Sequence, residues 1–267
     1  MFPRLIQFGN FFLPTYGLMA ALGLIVGLLT AVRLGRRSGI DPDRMWNLGI
    51  VAVIAGILGS KLLLIANEWG YYSQHLKQLF SLSILQAGGV FSGGLLLSIV
   101  CCYLYAARHR MPKLKTADCF APGIAIGHAL GRLGCFAAGC CYGKPTSLPW
   151  GVVFRNPLAN ELVGTPLGVR LHPTQIYEFV AEALIFAALM KLFRHKSFDG
   201  EIAALYMLLY GTVRYFLEFL RGDPGRGELF GGIMSVTQFI SILLVIGGGT
   251  MWVACSGRRS TAVRAAV

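Results

Sequence analysis

Two arginines stand where arginine is expensive. Arg132 and Arg214 lie inside long apolar runs, where a centred charge costs on the order of 2.5–3.5 kcal/mol even on lenient insertion scales. Such residues face a bundle interior or a wet cavity and have a partner there. Arg132 sits in Gly131-Arg132-Leu133-Gly134-Cys135, which runs on through Gly139-Cys140-Cys141-Tyr142-Gly143. A Gly-flanked guanidinium leaving an apolar span for a Gly-rich loop suits an anion, above all phosphate, which Arg holds through two parallel hydrogen bonds. Arg214 belongs to the run from Tyr210 to Arg221, and Glu218 follows it by one helical turn. That spacing lets the two pair and lowers the burial cost. A third piece, Leu171-His172-Pro173-Thr174-Gln175-Ile176-Tyr177-Glu178, reads as a Pro-started helix with polar groups in its first turns. Lys61, the third base inside an apolar run, lies near the outer end of its helix, so it either snorkels to the interface or faces the bundle interior as the two arginines do.

The cysteines carry chemistry of their own. Cys135, Cys140 and Cys141 fall at the mouth of the Arg132 span, and an oxidising compartment would permit a disulfide there. Adjacent Cys140 and Cys141 are poorly placed to pair with each other, so a bridge would join Cys135 to one of them. The C-x4-C-C spacing matches no common zinc pattern strongly, so packing or a disulfide is the favoured reading over a catalytic thiol or a metal. Cys101, Cys102, Cys119 and Cys255 read as small apolar helix residues. His128, one turn before Arg132, either lines the same cavity or is a satisfied polar residue between helices.

These groups need elements to hold them, and composition says which. The 267 residues are 55% hydrophobic and 13% charged, about half the charge of a soluble domain. Apolar runs of roughly 20 residues fit a hydrocarbon core of about 30 Å. Spans are expected at 15–34, 46–67, 84–107, 117–139, 174–194, 201–220 and 232–254. The fold class is therefore all-α: one integral membrane domain over 1–267 with about seven transmembrane helices. The net charge of +12 does not indicate nucleic acid, because the bases sit in short loops between apolar runs, where orientation rules place them. With the N-terminus outside, fourteen of the 24 Lys and Arg residues fall in inner segments and seven in outer ones. That bias predicts a periplasmic N-terminus and a cytoplasmic C-terminus. Pro14 and Tyr16 interrupt the first apolar stretch and no small-residue cleavage site follows, so it reads as a retained helix and not a signal peptide.

Helical rise then gives depth. Arg132 and Arg214 each come out roughly 20 Å above the inner face. Tyr16, His172, Gln175, Tyr177 and Glu178 begin spans at the outer face, and Ser92 descends roughly 12 Å from it between Gly88-Gly89 and Gly93-Gly94. Five helices thus bring polar groups to one layer, beneath a long outer loop at 140–173 that suits a lid or docking surface. The Gly pairs of the third span allow close helix approach, or a headgroup close to the backbone.

The GRLG…G…YG run around Arg132, the R-x-x-x-E-F-x-R run from Arg214 and the order of the pieces resemble the prolipoprotein diacylglyceryl transferase family. The resemblance extends from Tyr16-Gly17 to the Gly-Gly-Ile-Met-Ser-Val-Thr-Gln segment that opens the last span. It implies a multi-pass enzyme of the bacterial inner membrane that moves the diacylglyceryl group of phosphatidylglycerol onto the lipobox cysteine of a preprolipoprotein signal peptide. A thioether forms and glycerol 1-phosphate leaves. The family's two essential arginines map onto Arg132 and Arg214, and Tyr16, Tyr210, Glu218, Arg221, Gly143 and His172 also fall on motif positions. Arg132, Arg214, Tyr16 and His172 are the expected catalytic residues. Ser92, Gly93, Gly94, Gly131, Gly134, Gly143, Glu178, Tyr210, Glu218 and Arg221 are expected around the substrate.

The resemblance implies no metal or organic cofactor, and its partners are membrane lipids and the signal peptide, not nucleic acid. This chain departs from the best-known pattern at Ser92, where His or Tyr stands, and at Cys135 and Cys140, where Asn and Glu stand. The base that takes the acceptor thiol's proton is therefore open among Tyr16, His172 and Glu178. A transporter would spread polar residues through both leaflets and often show an internal repeat, and neither is seen. A redox protein would make Cys135, Cys140 and Cys141 indispensable. A diverged paralogue serving another acceptor would share the lipid site.

Overall fold

The structure, a computed structural model, describes residues 2–8, 11–76, 89–223 and 227–265. Helices predominate, and one stands at each of the seven positions expected from the apolar runs. They are α1 (Thr15–Arg37), α2 (Pro42–Asn67), α4 (Phe91–Arg108), α5 (Lys113–Ala138), α7 (Thr174–Phe193), α8 (Glu201–Glu218) and α9 (Val236–Ala265). Two short helices interrupt the loops, α3 (Trp69–Tyr72) and α6 (Pro157–Val163). Thr15–Arg37, Pro42–Asn67, Lys113–Ala138 and Val236–Gly257 are long and apolar enough to cross a membrane, and Ser92–Arg108 is apolar but shorter. Helices α7 and α8 differ because each carries three charged residues: Glu178, Glu182 and Lys191 on one, Glu201, Arg214 and Glu218 on the other. Gly88, Lys77, Arg226, the opening of the 84–107 span and the side chains of Arg258, Arg259 and Arg264 lie outside the described residues.

Local chemistry explains the helix ends. Asp41 accepts from the Asp43 N–H at 2.9 Å with Pro42 in the first turn, which caps α2. Asn156 does the same for α6, accepting from the Leu158 N–H at 3.0 Å, and Gly164 ends that helix in the left-handed region. Arg36 and Arg37 close α1, where positive charge complements the helix dipole.

The chain divides into two compact units, residues 32–116 and residues 1–31 with 117–267. In the first of these, α2 and α4 run antiparallel with their backbones touching. A Cβ on Gly59 would lie 2.4 Å from the Gly93 carbonyl oxygen, and one on Gly94 would lie 2.6 Å from that of Gly56. Small residues permit such approach where packing, not water exclusion, drives helix association. The Ser98 hydroxyl donates to the Ala52 carbonyl at 2.8 Å along the same seam.

The second unit repeats the device. Gly23 and Gly27 of α1 meet Gly127 and Gly123 of α5, where an added Cβ would fall within 2.9 Å of the facing carbonyl oxygen at every one of the four. Ala121 and Ala125 on the same helix pack with Ile185 and Leu189 of α7 and Ile202 and Ala203 of α8. Alanines on α5 thus let α7 and α8 draw close, and the polar rows of all three helices meet at one end of that core. Strands β1 (Arg4–Phe8) and β2 (Phe11–Pro14) form an antiparallel hairpin before α1, and β3 (Val152–Val153) pairs antiparallel with β4 (Arg170–Leu171). β5 (Glu228–Leu229) and β6 (Met234–Ser235) pair before α9.

Candidate functional site

Each of α5, α7 and α8 carries its polar groups at four-residue intervals, which places them on one face. On α5 these are His128 and Arg132, on α7 Glu178 and Glu182, and on α8 Tyr206, Tyr210, Arg214 and Glu218. The three rows converge on Glu178. Its Oε1 lies 2.9 Å from Arg132 Nη2 and 3.7 Å from Arg214 Nε. Arg214 Nη2 reaches Glu218 Oε2 at 2.8 Å, the pairing expected from their spacing.

Partners on either side fix the tautomer of His128. Arg132 Nε donates to His128 Nε2 at 3.1 Å, so that nitrogen is the acceptor, and Nδ1 contacts Glu182 Oε1 at 2.8 Å as the donor. In this tautomer the 3.6 Å approach of Nε2 to Glu178 Oε1 is a close contact and not an ion pair. The Tyr210 ring packs edge-on against the imidazole with centroids 5.3 Å apart, and Tyr206 stacks on Tyr210.

The network is buried but not saturated. Glu178, Glu182, Arg214 and Glu218 are each under 8% exposed, where an unmade hydrogen bond costs about 1–3 kcal/mol. Among the described residues, Arg214 Nη1 and Gln175 Oε1 nevertheless have no hydrogen-bond partner. Glu178 Oε1 sits among cations at ion-pair distance without a directional hydrogen bond. Arg132 and Arg214 are thus held by charge at one carboxylate, with a spare guanidinium donor beside it. A phosphate oxygen could replace the carboxylate and take that donor too.

A stitched loop packs at the end of this network. The Gly143 N–H donates to the His172 carbonyl at 3.0 Å, and the Lys144 N–H to the Leu220 carbonyl at 2.8 Å. Gly143 is thereby threaded between two segments, and a Cβ there would lie 2.5 Å from His172 Cβ and 2.9 Å from the Leu220 oxygen. No other residue fits. Thr174 Oγ1 and Gln175 Nε2, in the first turn of α7, donate to the Cys141 and Cys140 carbonyls, each at 2.7 Å. Arg221 is buried and bidentate to Asp223, both bonds 2.6 Å. Burial alone would lower its pKa, but the hydrogen-bonded Asp223 carboxylate overrides this and the pKa is raised.

Of the residues expected to act together, Arg132, Arg214, Glu178, Tyr210 and Glu218 are in one network. His172 holds Gly143 through its backbone, while its ring turns to Tyr177, Nδ1 lying 3.3 Å from that hydroxyl. Tyr177 in turn accepts from Trp150 Nε1 at 2.8 Å. Tyr16 packs its backbone against Gly134 and is within electrostatic reach of Cys135 and Arg132. The glycines beside Arg132 differ: Gly131 faces open space, whereas Gly134 abuts Met19 and Tyr16 of α1. Gly93 and Gly94 are taken up by packing on α2, and Ser92, the second residue of α4, belongs with them in the unit spanning 32–116. Cys135, Cys140 and Cys141 are free thiols. Sequence reading passed over Glu182, Tyr206 and Asp223. The i, i+4 spacing from Glu178 and Tyr210 would have found the first two.

Comparison with known proteins points to a single family. The family model for prolipoprotein diacylglyceryl transferase matches residues 3–254. The phosphatidylglycerol–prolipoprotein diacylglyceryl transferase of Clostridium tetani is 37% identical over 238 residues, covering 87% of this chain and 89% of the relative. That of Finegoldia magna is 34% identical over 235 residues, 87% of either chain. The Synechocystis protein of the same name is 33% identical over 258 residues, covering 94% of this chain and 88% of its own.

Proposed function

The chain belongs to the prolipoprotein diacylglyceryl transferase family, and from that premise we propose how its geometry performs the transfer. The enzyme takes the diacylglyceryl group from phosphatidylglycerol and places it on the cysteine thiol of a prolipoprotein. The thiolate sulfur attacks the terminal glyceryl carbon, the carbon–oxygen bond to phosphate breaks, and glycerol 1-phosphate leaves with the electron pair. The acceptor is the lipobox cysteine of the signal peptide.

One observation carries the assignment of roles. Arg132 and Arg214, from two separate helices, meet at the single carboxylate of Glu178. In the working site the lipid phosphate competes with Glu178 for both guanidinium groups and takes the unpartnered Arg214 Nη1. Fixed positive charge then meets the charge developing on the leaving group, an effect worth roughly 10²–10³ in rate per donor. Glu218 and Tyr210 hold Arg214 and His128 in place, and Glu182 with His128 orients Arg132. Gly131 leaves open space beside the arginine, room for a headgroup. Gly143, His172 and Arg221 shape the loop above the site, and Tyr16 lies at its edge.

The chain works as one integral membrane domain of about seven spans in the bacterial inner membrane. Its N-terminus and the 140–173 loop are periplasmic and its C-terminus is cytoplasmic. The charged helices α7 and α8 cross within the bundle, their carboxylates turned to the arginines instead of to lipid. The activity test uses purified protein, phosphatidylglycerol and a lipobox peptide. A peptide mass gain equal to one diacylglyceryl group is expected, and none with a Cys-to-Ser peptide. An unmodified peptide with folded enzyme would refute the reading. Labelling of single introduced cysteines at 109–112 and in 140–173 should react from opposite faces of the membrane.

A further inference from the structure

We propose that Cys135, Cys140 and Cys141 hold one soft divalent cation of the zinc class and leave its fourth position open for the acceptor's cysteine thiolate. The metal part stands on the cysteines alone. The acceptor part rests on the transferase reading.

The three sulfurs all lie within 4.8 Å of one another. Tetrahedral zinc with Zn–S bonds of about 2.3 Å spaces its sulfurs about 3.8 Å apart, so adjustment of about an ångström would close the site. Adjacent residues in extended chain point to opposite sides, and Cys140 and Cys141 would do so too. They converge because Cys141 has φ +62°, in the left-handed region, two residues beyond Gly139 at +88°. A non-glycine residue there stores on the order of 1–3 kcal/mol and persists only where its surroundings over-determine it. Here Gln175 and Thr174 bond the carbonyls of Cys140 and Cys141, each at 2.7 Å, and Thr165 bonds that of Gly139 at 3.0 Å. The turn is held on three sides in the conformation that gathers the thiols.

Spacing along the chain hid this, because C-x4-C-C relies on a helix end and a left-handed residue to bring the sulfurs together. Among the described residues the group stops at three ligands. Three protein ligands with an open position mark a reactive zinc site, whereas four mark a structural one. Cys135 is buried, while Cys140 and Cys141 are partly accessible, so a peptide thiol has an approach. Three thiolates and a divalent cation carry a net charge of −1, and Arg132 and Arg221 lie within electrostatic reach of Cys141 to balance it.

The chemistry fits the reaction. A thiol binding zinc loses its proton to water at the mouth and remains nucleophilic as a metal-bound thiolate. Its sulfur then forms the bond to the glyceryl carbon while the carbon–oxygen bond to phosphate breaks, the electron pair going to the phosphate oxygen. The thioether product is a weak ligand and departs, restoring the open position. No oxidant or reductant takes part. The positions where the family pattern has Asn and Glu thus carry two of the three ligands here.

The experiment measures zinc per chain in protein purified without chelator, then replaces zinc with Co²⁺ and records the absorption spectrum. One metal per chain, with sulfur-to-cobalt charge-transfer bands and intense tetrahedral d–d bands, is expected. Cys140→Ser should lose the metal. Lipobox peptide added without phosphatidylglycerol should shift the d–d bands, and the Cys-to-Ser peptide should not. Absence of bound metal with three titratable thiols, or a native mass showing a disulfide among the three, would overturn the site. Bound cobalt indifferent to the peptide would overturn the acceptor role. A peptide-dependent shift without any transfer from phosphatidylglycerol would instead refute the transferase reading and leave the metal site standing.

Discussion

Two buried clusters of charge in the same unit are built to opposite standards. Asp118, on the second turn of α5, is fully buried and fully satisfied. Its Oδ2 accepts from Lys196 Nζ at 2.9 Å and from the Gly200 N–H at 2.8 Å, and its Oδ1 from the Ala203 N–H at 3.0 Å. It ties the turn before α8 to α5 and satisfies amide groups at the start of α8 that have no partner within the helix. Four turns further along α5, Arg132 meets Glu178 at 2.9 Å and Arg214 approaches the same carboxylate oxygen at 3.7 Å, with Arg214 Nη1 left over. Both oxygens of the buried Asp118 carboxylate are taken up by the fold. The second keeps a donor in reserve at Arg214 Nη1. Saturation, more than burial, separates a charge that serves the fold from one available for chemistry.

The contrast is open to attack from its strongest side. Asp118→Asn should destabilise the protein by about 1–3 kcal/mol, because Lys196 keeps only Asp199 and a buried amide NH2 replaces an accepting oxygen. Thermal unfolding in detergent measures that loss. Transfer per folded molecule should stay near native, and a proportionate fall would erase the distinction between the clusters.

Arg132→Lys should lower transfer about 100-fold at saturating lipid and peptide, since an ammonium cannot donate to His128 and to a phosphate with a planar fork. Its melting temperature should change little. A near-native rate would show that charge alone suffices there. Arg214→Lys should be milder, about tenfold or 1.4 kcal/mol, because pairing with Glu218 at 2.8 Å needs only a point charge. Should the two variants prove equally impaired, both arginines would be phosphate forks.

The smallest effect concerns pH. Burial works against charge on Lys196, but hydrogen bonds to Asp199 and Asp118 raise its pKa above the ordinary lysine value. A folded-state pKa above the unfolded one adds stability that is complete below the unfolded pKa and lost as pH climbs through the folded value. Stability from this cluster should therefore hold through neutral and mildly alkaline pH and decline only in strong alkali. Melting temperatures across the alkaline range, native against Lys196→Met, should converge at the top of it. A gap that closes near neutrality would contradict the pairing.

The residues by themselves determined where the helices lie, because apolar length and Gly, Pro and Asp punctuation are local properties. They also marked Arg132 and Arg214, since charge inside an apolar run needs no partner in view to be costly, and the four-residue step to Glu218 predicted its pairing. Glu182 and Asp223 went unread because each gains meaning only from a partner, His128 54 residues earlier in the one case and Arg221 in the other. Which glycines serve packing was likewise a matter of tertiary contact. Gly131 and Gly134 look alike along the chain, yet only Gly134 meets α1. The gathering of three cysteine sulfurs was decided by tertiary structure too. Convergence of Cys140 and Cys141 depends on a left-handed residue, and that conformation is held by Thr174 and Gln175, more than thirty residues away.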